Sequence, residues 1–135
     1  MPLDRDYPLR TLIVAGEACD ETLAWAWSQR CRVVNSYGPS ESAVAVSHDT
    51  VAAGQPITLG RAIANVALHV RNAVGQLQPI GVEGELWIAG ASLARGYLGQ
   101  PELTAGRFVR SHGHDGICYR TGDRVRMRED GRLLF

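Results

Sequence analysis

A single strand–helix–strand pattern, followed by a long stretch with strand patterns, constrains the fold of this chain most. Thr11–Ala15 is a short apolar run that ends at Gly16, which is typical of a buried strand. A helix is predicted over Asp20–Arg30, because acidic residues suit its first turn and Arg30 suits its end through the helix macrodipole. Arg32–Asn35 is a second short strand, so the unit implies a parallel strand pair.

The rest of the chain is predicted to be rich in β-structure. One turn of helix is predicted at Pro101–Gly106, and Asp130–Gly131 between two apolar runs is typical of a hairpin. The predicted strands are Ala43–Val51, Asn65–Arg71, Glu85–Ala89, Cys118–Met127 and Leu133–Phe135, with turns at Asn72–Gln76 and Gly81–Gly84.

These patterns predict an α/β plus β fold that divides near residue 55. Residues 1–54 are expected to form the C-terminal part of a parallel α/β subdomain, and residues 55–135 a β-rich subdomain. One strand–helix–strand unit cannot cover both faces of a parallel sheet, and such sheets are normally covered on both. We therefore expect the chain to be a fragment of a larger domain.

The composition excludes several classes of function. All 14 basic residues are arginine, so no Schiff-base lysine and no Walker A loop is possible. The 14 acidic residues balance them, which argues against a nucleic-acid partner. The three cysteines (Cys19, Cys31 and Cys118) are scattered without C-x-x-C spacing, as in a reducing compartment. No apolar run approaches the ~20 residues of a membrane helix. We therefore expect a soluble, cytoplasmic chain without a membrane partner.

The loop Asn35–Glu41 is the first candidate site, because it directly follows a strand of the α/β part. Ligands of open α/β sheets bind outside the carboxyl ends of their strands. The Tyr37 ring can stack on a purine, the Ser40 hydroxyl can donate to a phosphate oxygen, and the Glu41 carboxylate can share Mg²⁺ with that phosphate. Gly16 closes the neighbouring strand and can approach the same ligand.

Two other interpretations of this loop remain. It is equally compatible with an ordinary turn, since Gly38 and Pro39 are common turn residues. A serine-hydrolase elbow is disfavoured, because Gly38–Ser42 lacks the final glycine of G-x-S-x-G.

Asp123 is the second candidate, because it lies on the apolar face of a predicted strand. It shares that face with Val125, whereas Arg124, Arg126 and Arg128 share the other. An ionised carboxylate on an apolar face needs partners. Two ribose hydroxyls would serve, and so would an ion pair with an arginine.

A metal cluster is a third, weaker candidate. His112, His114, Asp115 and Cys118 carry ligand atoms, but their spacing matches no strong zinc pattern.

Together these blocks resemble the adenylation domain of non-ribosomal peptide synthetases, in the adenylate-forming superfamily with acyl-CoA ligases and luciferases. The resemblance rests on Asn35–Glu41, Gly84–Phe108 and Tyr119–Asp123, preceded by Leu9–Ala18. The ARGY and PELT elements in the long central block favour the peptide-synthetase branch. A fragment of an acyl-CoA ligase, or an excised subdomain without catalytic function, is the alternative.

The resemblance implies an enzyme that activates an amino acid with Mg-ATP, forming aminoacyl-AMP and pyrophosphate. It then loads the thiol of the phosphopantetheine on a partner carrier protein. The implied fold is the end of an α/β subdomain followed by a distorted-barrel subdomain, with the remaining adenylation subdomains as further partners. The implied ATP- and AMP-binding residues are Gly16, Glu17, Ala18, Asn35, Ser36, Tyr37, Gly38, Ser40 and Asp123.

The same resemblance assigns the other site residues. Asn35 and Tyr37 are implied to contact adenine, Ser40 the α-phosphate and Asp123 the ribose hydroxyls, with Glu41 as the Mg²⁺ carboxylate. The implied amino-acid pocket is lined by Ile13, Ala15, Ser36, Val44 and Ala45. Because these side chains are small or apolar, the implied substrate is a hydrophobic amino acid.

The chain departs from the family pattern at three positions. Ser40 stands where threonine is usual, Arg124 where leucine is usual and Phe135 where tyrosine is common. The family's phosphate loop and its catalytic lysine have no counterpart here, which agrees with the absence of lysine. We therefore assign no catalytic residue within this sequence and expect the chain alone to be inactive.

Overall fold

The computed structural model describes residues 8–110 and 116–135 and contains two sheets. The first sheet has the strands β1 (Thr11–Val14), β2 (Arg32–Tyr37), β3 (Ser47–Thr50) and β4 (Arg61–Ala62), in that order. β1 runs parallel to β2, whereas the other two pairings are antiparallel. The predicted parallel pair is confirmed.

Helix α1 (Glu21–Ser28) joins the parallel strands and covers one face of the first sheet. Asp20 caps it, because its carboxylate accepts a hydrogen bond from the Leu23 amide at 2.7 Å. The prediction extended the helix to Arg30, but it ends at Ser28, so its last turn carries no basic residue. The buried cluster beneath it contains Ala24, Trp27, Val33 and Val51.

The second sheet is entirely antiparallel. Its strands are β5 (Val66–Arg71), β6 (Glu83–Gly90), β7 (Phe108–Arg110), β8 (Ile117–Met127) and β9 (Leu133–Leu134). They lie in the order β5–β6–β8–β7, and β9 also pairs with β8. Helix α2 (Pro101–Arg107) confirms the predicted helical turn, and the β8–β9 pair confirms the predicted hairpin at Asp130–Gly131.

The main apolar core lies on one face of the second sheet and reaches the first. Its buried residues are Val46, Leu59, Val70, Leu86, Ile88, Phe108, Tyr119, Val125 and Leu133. Backbone hydrogen bonds join Leu133 to Leu59 and Gly60 at 2.8 and 3.0 Å. These contacts connect the two sheets close to the candidate site. The α/β plus β class is thus confirmed, and the division near residue 55 remains a prediction.

Three predictions of local structure differ from what the structure shows. The strand expected over Ala43–Val51 begins at Ser47, because Ala43 and Val44 have φ values of 57° and 72°, which a strand cannot accommodate. The turn expected at Gly81–Gly84 is present but lies earlier, at residues 79–82, and β6 already begins at Glu83. Strands β4 and β7 were not predicted, since two or three residues are too short to show alternation.

Within residues 8–110 and 116–135, no helix has the length and apolar character needed to cross a membrane.

Candidate functional site

A pocket of about 450 Å³ lies where the two sheets meet, beside the carboxyl ends of β1 and β2. Segment 16–19 and residues 35–39 form one side of it, and Asp123 of the second sheet forms part of the other. The strand predicted to end at Asn35 continues to Tyr37, so only residues 38 and 39 of this group lie in the loop after β2. Eight residues predicted to bind the nucleotide line this pocket: Gly16, Glu17, Ala18, Asn35, Ser36, Tyr37, Gly38 and Asp123. Residues that are far apart in sequence therefore share one cavity.

The loop after β2 is tightly folded at Gly38. A Cβ atom at this position would lie 2.5 Å from the carbonyl oxygen of Val44, so a larger residue would clash with backbone. The loop continues into a short 3-10 turn, Ser40–Ser42, and then passes through Ala43 and Val44 in the left-handed region. Gly38 is thus required by a close backbone approach.

A β-bulge presents Asp123 to the pocket. Glu85 pairs with Arg124 and Trp87 pairs with Arg120, so β8 holds two extra residues opposite Leu86. Because the insertion is even, the alternation of faces continues across it, and Asp123 stays on the face of buried Val125. The predicted face of Asp123 is therefore confirmed.

Hydrogen bonds fix the bulge itself. The Thr121 hydroxyl donates to the carbonyl of Leu86 at 2.8 Å and accepts from the Asp123 amide at 2.9 Å. Gly122 has a φ of 85°, and its amide donates to the Glu85 carboxylate at 3.2 Å. Burial would raise the pKa of Glu85, but hydrogen bonds from Arg120 and other neighbours lower it overall.

The Tyr37 hydroxyl donates a hydrogen bond to Oδ2 of Asp123 across the pocket. Burial and this bond raise the pKa of Tyr37, so the hydroxyl remains a donor at neutral pH. Among the ion pairs of the described residues, none involves Asp123. The arginine partner left open by the sequence is thus replaced by a tyrosine. The Tyr37 ring also meets Phe135 edge to face, with centroids 6.0 Å apart.

Asn35 is 5% exposed and uses one end of its amide for the fold. Its Nδ2 donates to the carbonyl of Thr58 at 2.8 Å. This bond orients the side chain, so Oδ1 is the atom available as a hydrogen-bond acceptor for a ligand. The sequence pattern had indicated this amide but not its orientation, nor that Asn35 lies within β2.

Glu41 lies outside the pocket, and its carboxylate contacts tyrosines from the β-rich part of the chain. The Tyr97 hydroxyl donates to Oε1 of Glu41, and the Tyr119 hydroxyl lies 3.4 Å from that of Tyr97. Burial would raise the pKa of Glu41, but the hydrogen bonds from Tyr97 and Tyr119 outweigh it and lower the pKa overall. The carboxylate is therefore kept ionised, as a metal ligand must be.

The remaining predicted residues lie elsewhere. Ser40 is exposed at the start of the 3-10 turn and does not line the pocket. Of the predicted amino-acid pocket, Ser36 lines this cavity, whereas Ile13, Ala15, Val44 and Ala45 lie outside it. Ile13 and Val44 are 65% and 68% exposed.

Sequence reasoning missed two groups of residues. Cys19, Ile57 and Leu59 also line the pocket, and no motif marks them. Pro39 and Phe135 line it too, although the sequence had given them no binding role. Tyr97 and Tyr119 were quoted in the resemblance without a role, and their contact with Glu41 could be found only from the arrangement of the sheets.

Most of the weaker metal candidate falls outside the residues that the structure describes. His112, His114 and Asp115 lie outside the described residues, and Cys118 is buried. In the parts of the chain that the structure describes, no three His, Cys, Asp or Glu side chains form a metal site.

Comparison with known proteins agrees with this geometry. The family model described as AMP-binding enzyme matches residues 3–98, and the chain belongs to that family. Within it, the chain is 47% identical over 128 residues to the AMB antimetabolite synthetase AmbE of Pseudomonas aeruginosa, covering 92% of this chain and 6% of that protein. It is 42% identical over 132 residues to tyrocidine synthase 3 of Brevibacillus parabrevis, covering 94% of this chain and 2% of that protein.

Solved structures give the same result. A four-domain nonribosomal peptide synthetase bound to AMP and glycine superposes with a TM-score of 0.87 at 40% identity, over 92% of this chain and 10% of that one. A protein containing adenylation and PCP domains, bound to a vinylsulfonamide inhibitor, superposes with a TM-score of 0.84 at 33% identity, over 94% and 24%. The resemblance to adenylation domains of peptide synthetases is therefore confirmed. The chain spans a small part of the length of these relatives.

Proposed function

We propose that this chain supplies the nucleoside-binding part of an amino-acid-activating adenylation site. In the complete protein, the carboxylate of an amino acid would attack the α-phosphate of Mg-ATP, giving aminoacyl-AMP and pyrophosphate. The aminoacyl group would then pass to the phosphopantetheine thiol of a carrier protein. The observation that carries the proposal is the pocket that brings Asn35, Tyr37 and Asp123 together.

The chemistry of the pocket matches the parts of adenosine monophosphate. The Asn35 Oδ1 can accept from the exocyclic amine of adenine, and the Tyr37 ring offers a face for the base. The Asp123 carboxylate has lone pairs left for the two ribose hydroxyls after accepting from Tyr37. Gly16 lines the pocket, and the space that a Cβ would occupy there is empty. A ligand can therefore come close to the backbone at this position.

The phosphate end of the ligand would lie toward the 3-10 turn. Ser40 is exposed at the start of that turn and would contact the α-phosphate. Glu41, kept ionised by its tyrosine partners, would contribute one oxygen to Mg²⁺, which also binds phosphates. Mg²⁺ suits this arrangement because it is usually held by one or two carboxylates together with substrate phosphates.

The amino-acid side chain would contact the five residues Ile13, Ala15, Ser36, Val44 and Ala45. Ile13 and Val44 are apolar and exposed, and Ala15, Ser36 and Ala45 are small. A small, apolar lining favours a hydrophobic amino acid. A cytoplasmic location, where ATP and carrier proteins are available, is part of the same proposal.

The first test is a two-dimensional amide NMR spectrum of the chain with and without AMP. We expect dispersed peaks, with shifts around Tyr37 and Asp123 that disappear in the Asp123→Ala variant. A well-dispersed spectrum with no AMP-dependent shift would contradict nucleoside binding by this chain and favour a non-catalytic subdomain.

The second test is amino-acid-dependent exchange between ATP and pyrophosphate. Because the chain contains no lysine and no phosphate loop, we expect no exchange from it alone. Clear exchange would contradict the assignment of catalysis to residues outside this sequence. The acyl-CoA ligase alternative is not favoured, since the relatives named above are peptide synthetases.

A further inference from the structure

The contact between Tyr37 and Asp123 joins two residues to which the proposed function gives separate roles. Tyr37 is the last residue of β2 in the first sheet, and Asp123 lies in the bulge of β8 in the second sheet. The Tyr37 hydroxyl donates to Oδ2 of Asp123, and both residues line the same pocket. The inference drawn from this contact rests on the proposed function.

The bulge alone fixes only the backbone of Asp123. Its amide donates to the Thr121 hydroxyl at 2.9 Å, which sets where the side chain leaves the strand. Rotation about χ1 and χ2 remains, and among the described residues no ion pair restrains the carboxylate. The hydrogen bond from the Tyr37 hydroxyl to Oδ2 is therefore a side-chain contact that favours one orientation of this carboxylate.

The chemistry of the contact leaves the carboxylate able to bind. A carboxylate has about four lone-pair sites on its two oxygens. Tyr37 occupies one on Oδ2, so Oδ1 remains for two donors from a ribose. The hydroxyl stays protonated at neutral pH because burial and the contact itself raise its pKa. A neutral donor thus holds the anion without neutralising its charge.

We infer that the Tyr37 hydroxyl is a positioning group, which holds the Asp123 carboxylate in the orientation that receives the two ribose hydroxyls. The ring of the same side chain contacts the base. One tyrosine would therefore couple recognition of the base to recognition of the ribose. Removal of its hydroxyl should impair the ribose contact and spare the base contact.

The test compares the binding of AMP and of 2′,3′-dideoxy-AMP to the unaltered 135-residue chain and to its Tyr37→Phe variant. Tyr37→Phe keeps the ring and removes the hydroxyl. Dissociation constants for AMP and for 2′,3′-dideoxy-AMP are measured by amide chemical-shift titration. We expect Tyr37→Phe to weaken AMP binding about tenfold, the effect of one charge-assisted hydrogen bond. Binding of the dideoxy nucleotide should change less than about twofold, because it cannot use the ribose contact.

A purely structural role would give a different pattern. Equal weakening of the binding of both nucleotides would mean that the hydroxyl acts through the fold or the base. It would overturn the inference, whereas the proposed binding of AMP by the unaltered chain would stand. If the unaltered chain binds both nucleotides equally, the ribose contact of the proposed function fails instead. Asp123→Asn should reproduce the selective loss, because it removes the anionic acceptor and keeps the shape.

A second measurement needs no ligand. Three-bond couplings to the β-protons of Asp123 report whether its χ1 angle holds one rotamer. We expect a single χ1 rotamer in the unaltered chain and averaged couplings in Tyr37→Phe. Identical couplings in the two proteins would overturn a positioning role that acts through χ1, even if the chain alone binds no AMP.

Discussion

The Tyr97 hydroxyl donates a hydrogen bond to the Glu41 carboxylate, although 56 residues separate them in sequence. A backbone bond lies beside it, from the Ala94 amide to the carbonyl of Glu41 at 2.7 Å. The segment after β6 therefore holds both the main chain and the side chain of Glu41. This contact orients the carboxylate proposed to bind Mg²⁺.

The first prediction concerns the pKa of Glu41. Tyr97→Phe should raise it, because burial raises this pKa and the variant loses one of the hydrogen bonds that oppose burial. The ring contact of residue 97 with Phe108, whose centroid lies 5.7 Å away, should remain. The measurement is an NMR titration of the Glu41 carboxyl carbon in both proteins, and an unchanged titration would contradict the role of Tyr97.

The same pKa predicts how stability depends on pH. A carboxyl whose pKa is lower in the folded state stabilises the fold above its unfolded-state pKa of about 4.3. That stabilisation is lost as the pH falls through the lower, folded-state value. Tyr97→Phe should therefore lose stability at pH 7 and show a smaller further loss on acidification. Urea unfolding of both proteins at pH 7 and pH 3.5 measures both effects. If the two proteins differ in free energy of unfolding by the same amount at both pH values, the linkage is refuted.

The second prediction concerns Gly60, which bridges the two sheets. A Cβ atom there would lie 1.9 Å from the carbonyl oxygen of His48, and its φ is 77°. Gly60→Ala should therefore destabilise the fold by at least about 2 kcal/mol. Gly54→Ala is the matched control, because Gly54 has a φ of 75° and open space around it. It should cost about 1 kcal/mol; equal losses in urea unfolding would mean that the close approach is unimportant.

The third prediction concerns strain in the loop after the 3-10 turn. Val44 has a φ of 72° and a side chain that is 68% exposed, so a β-branched residue occupies an unfavourable conformation with little compensating burial. Val44→Asn should stabilise the chain by about 0.5–1 kcal/mol, since asparagine tolerates this region. Val44→Thr keeps the branching and should change stability by less than about 0.5 kcal/mol. The measurement is thermal unfolding of the unaltered chain, Val44→Asn and Val44→Thr. A lower stability of Val44→Asn than of the unaltered chain would refute the proposed backbone strain.

The fourth prediction concerns the choice of base. With Nδ2 of Asn35 donating to Thr58, the acceptor Oδ1 should favour the 6-amino group of adenine over the 6-oxo group of hypoxanthine. AMP should therefore bind about tenfold more tightly than IMP, the range expected when a buried acceptor is left unpaired. Competition in the NMR titration measures the ratio. Equal affinities would show that Asn35 does not recognise the base.

Local patterns were sufficient for part of this structure. The order strand, helix and strand over residues 11–37 follows from apolar runs and from the cap at Asp20, which act over a few residues. The face of Asp123 also followed from alternation, but only because the bulge in β8 inserts an even number of residues. The same reasoning failed at Ala43 and Val44, whose positive φ values interrupt the apolar run in a segment that lies close to the backbone of Gly38.

The sequence by itself determined which chemistry is present: an amide, a tyrosine ring and a carboxylate in the blocks that resemble an adenylation domain, and no lysine. Only the tertiary structure decided which of these groups meet. Tyr37 reaches Asp123 across 86 residues, and Tyr97 reaches Glu41 across 56. Alternation and capping are set by neighbouring residues, whereas these contacts depend on how the two sheets pack around a shared core.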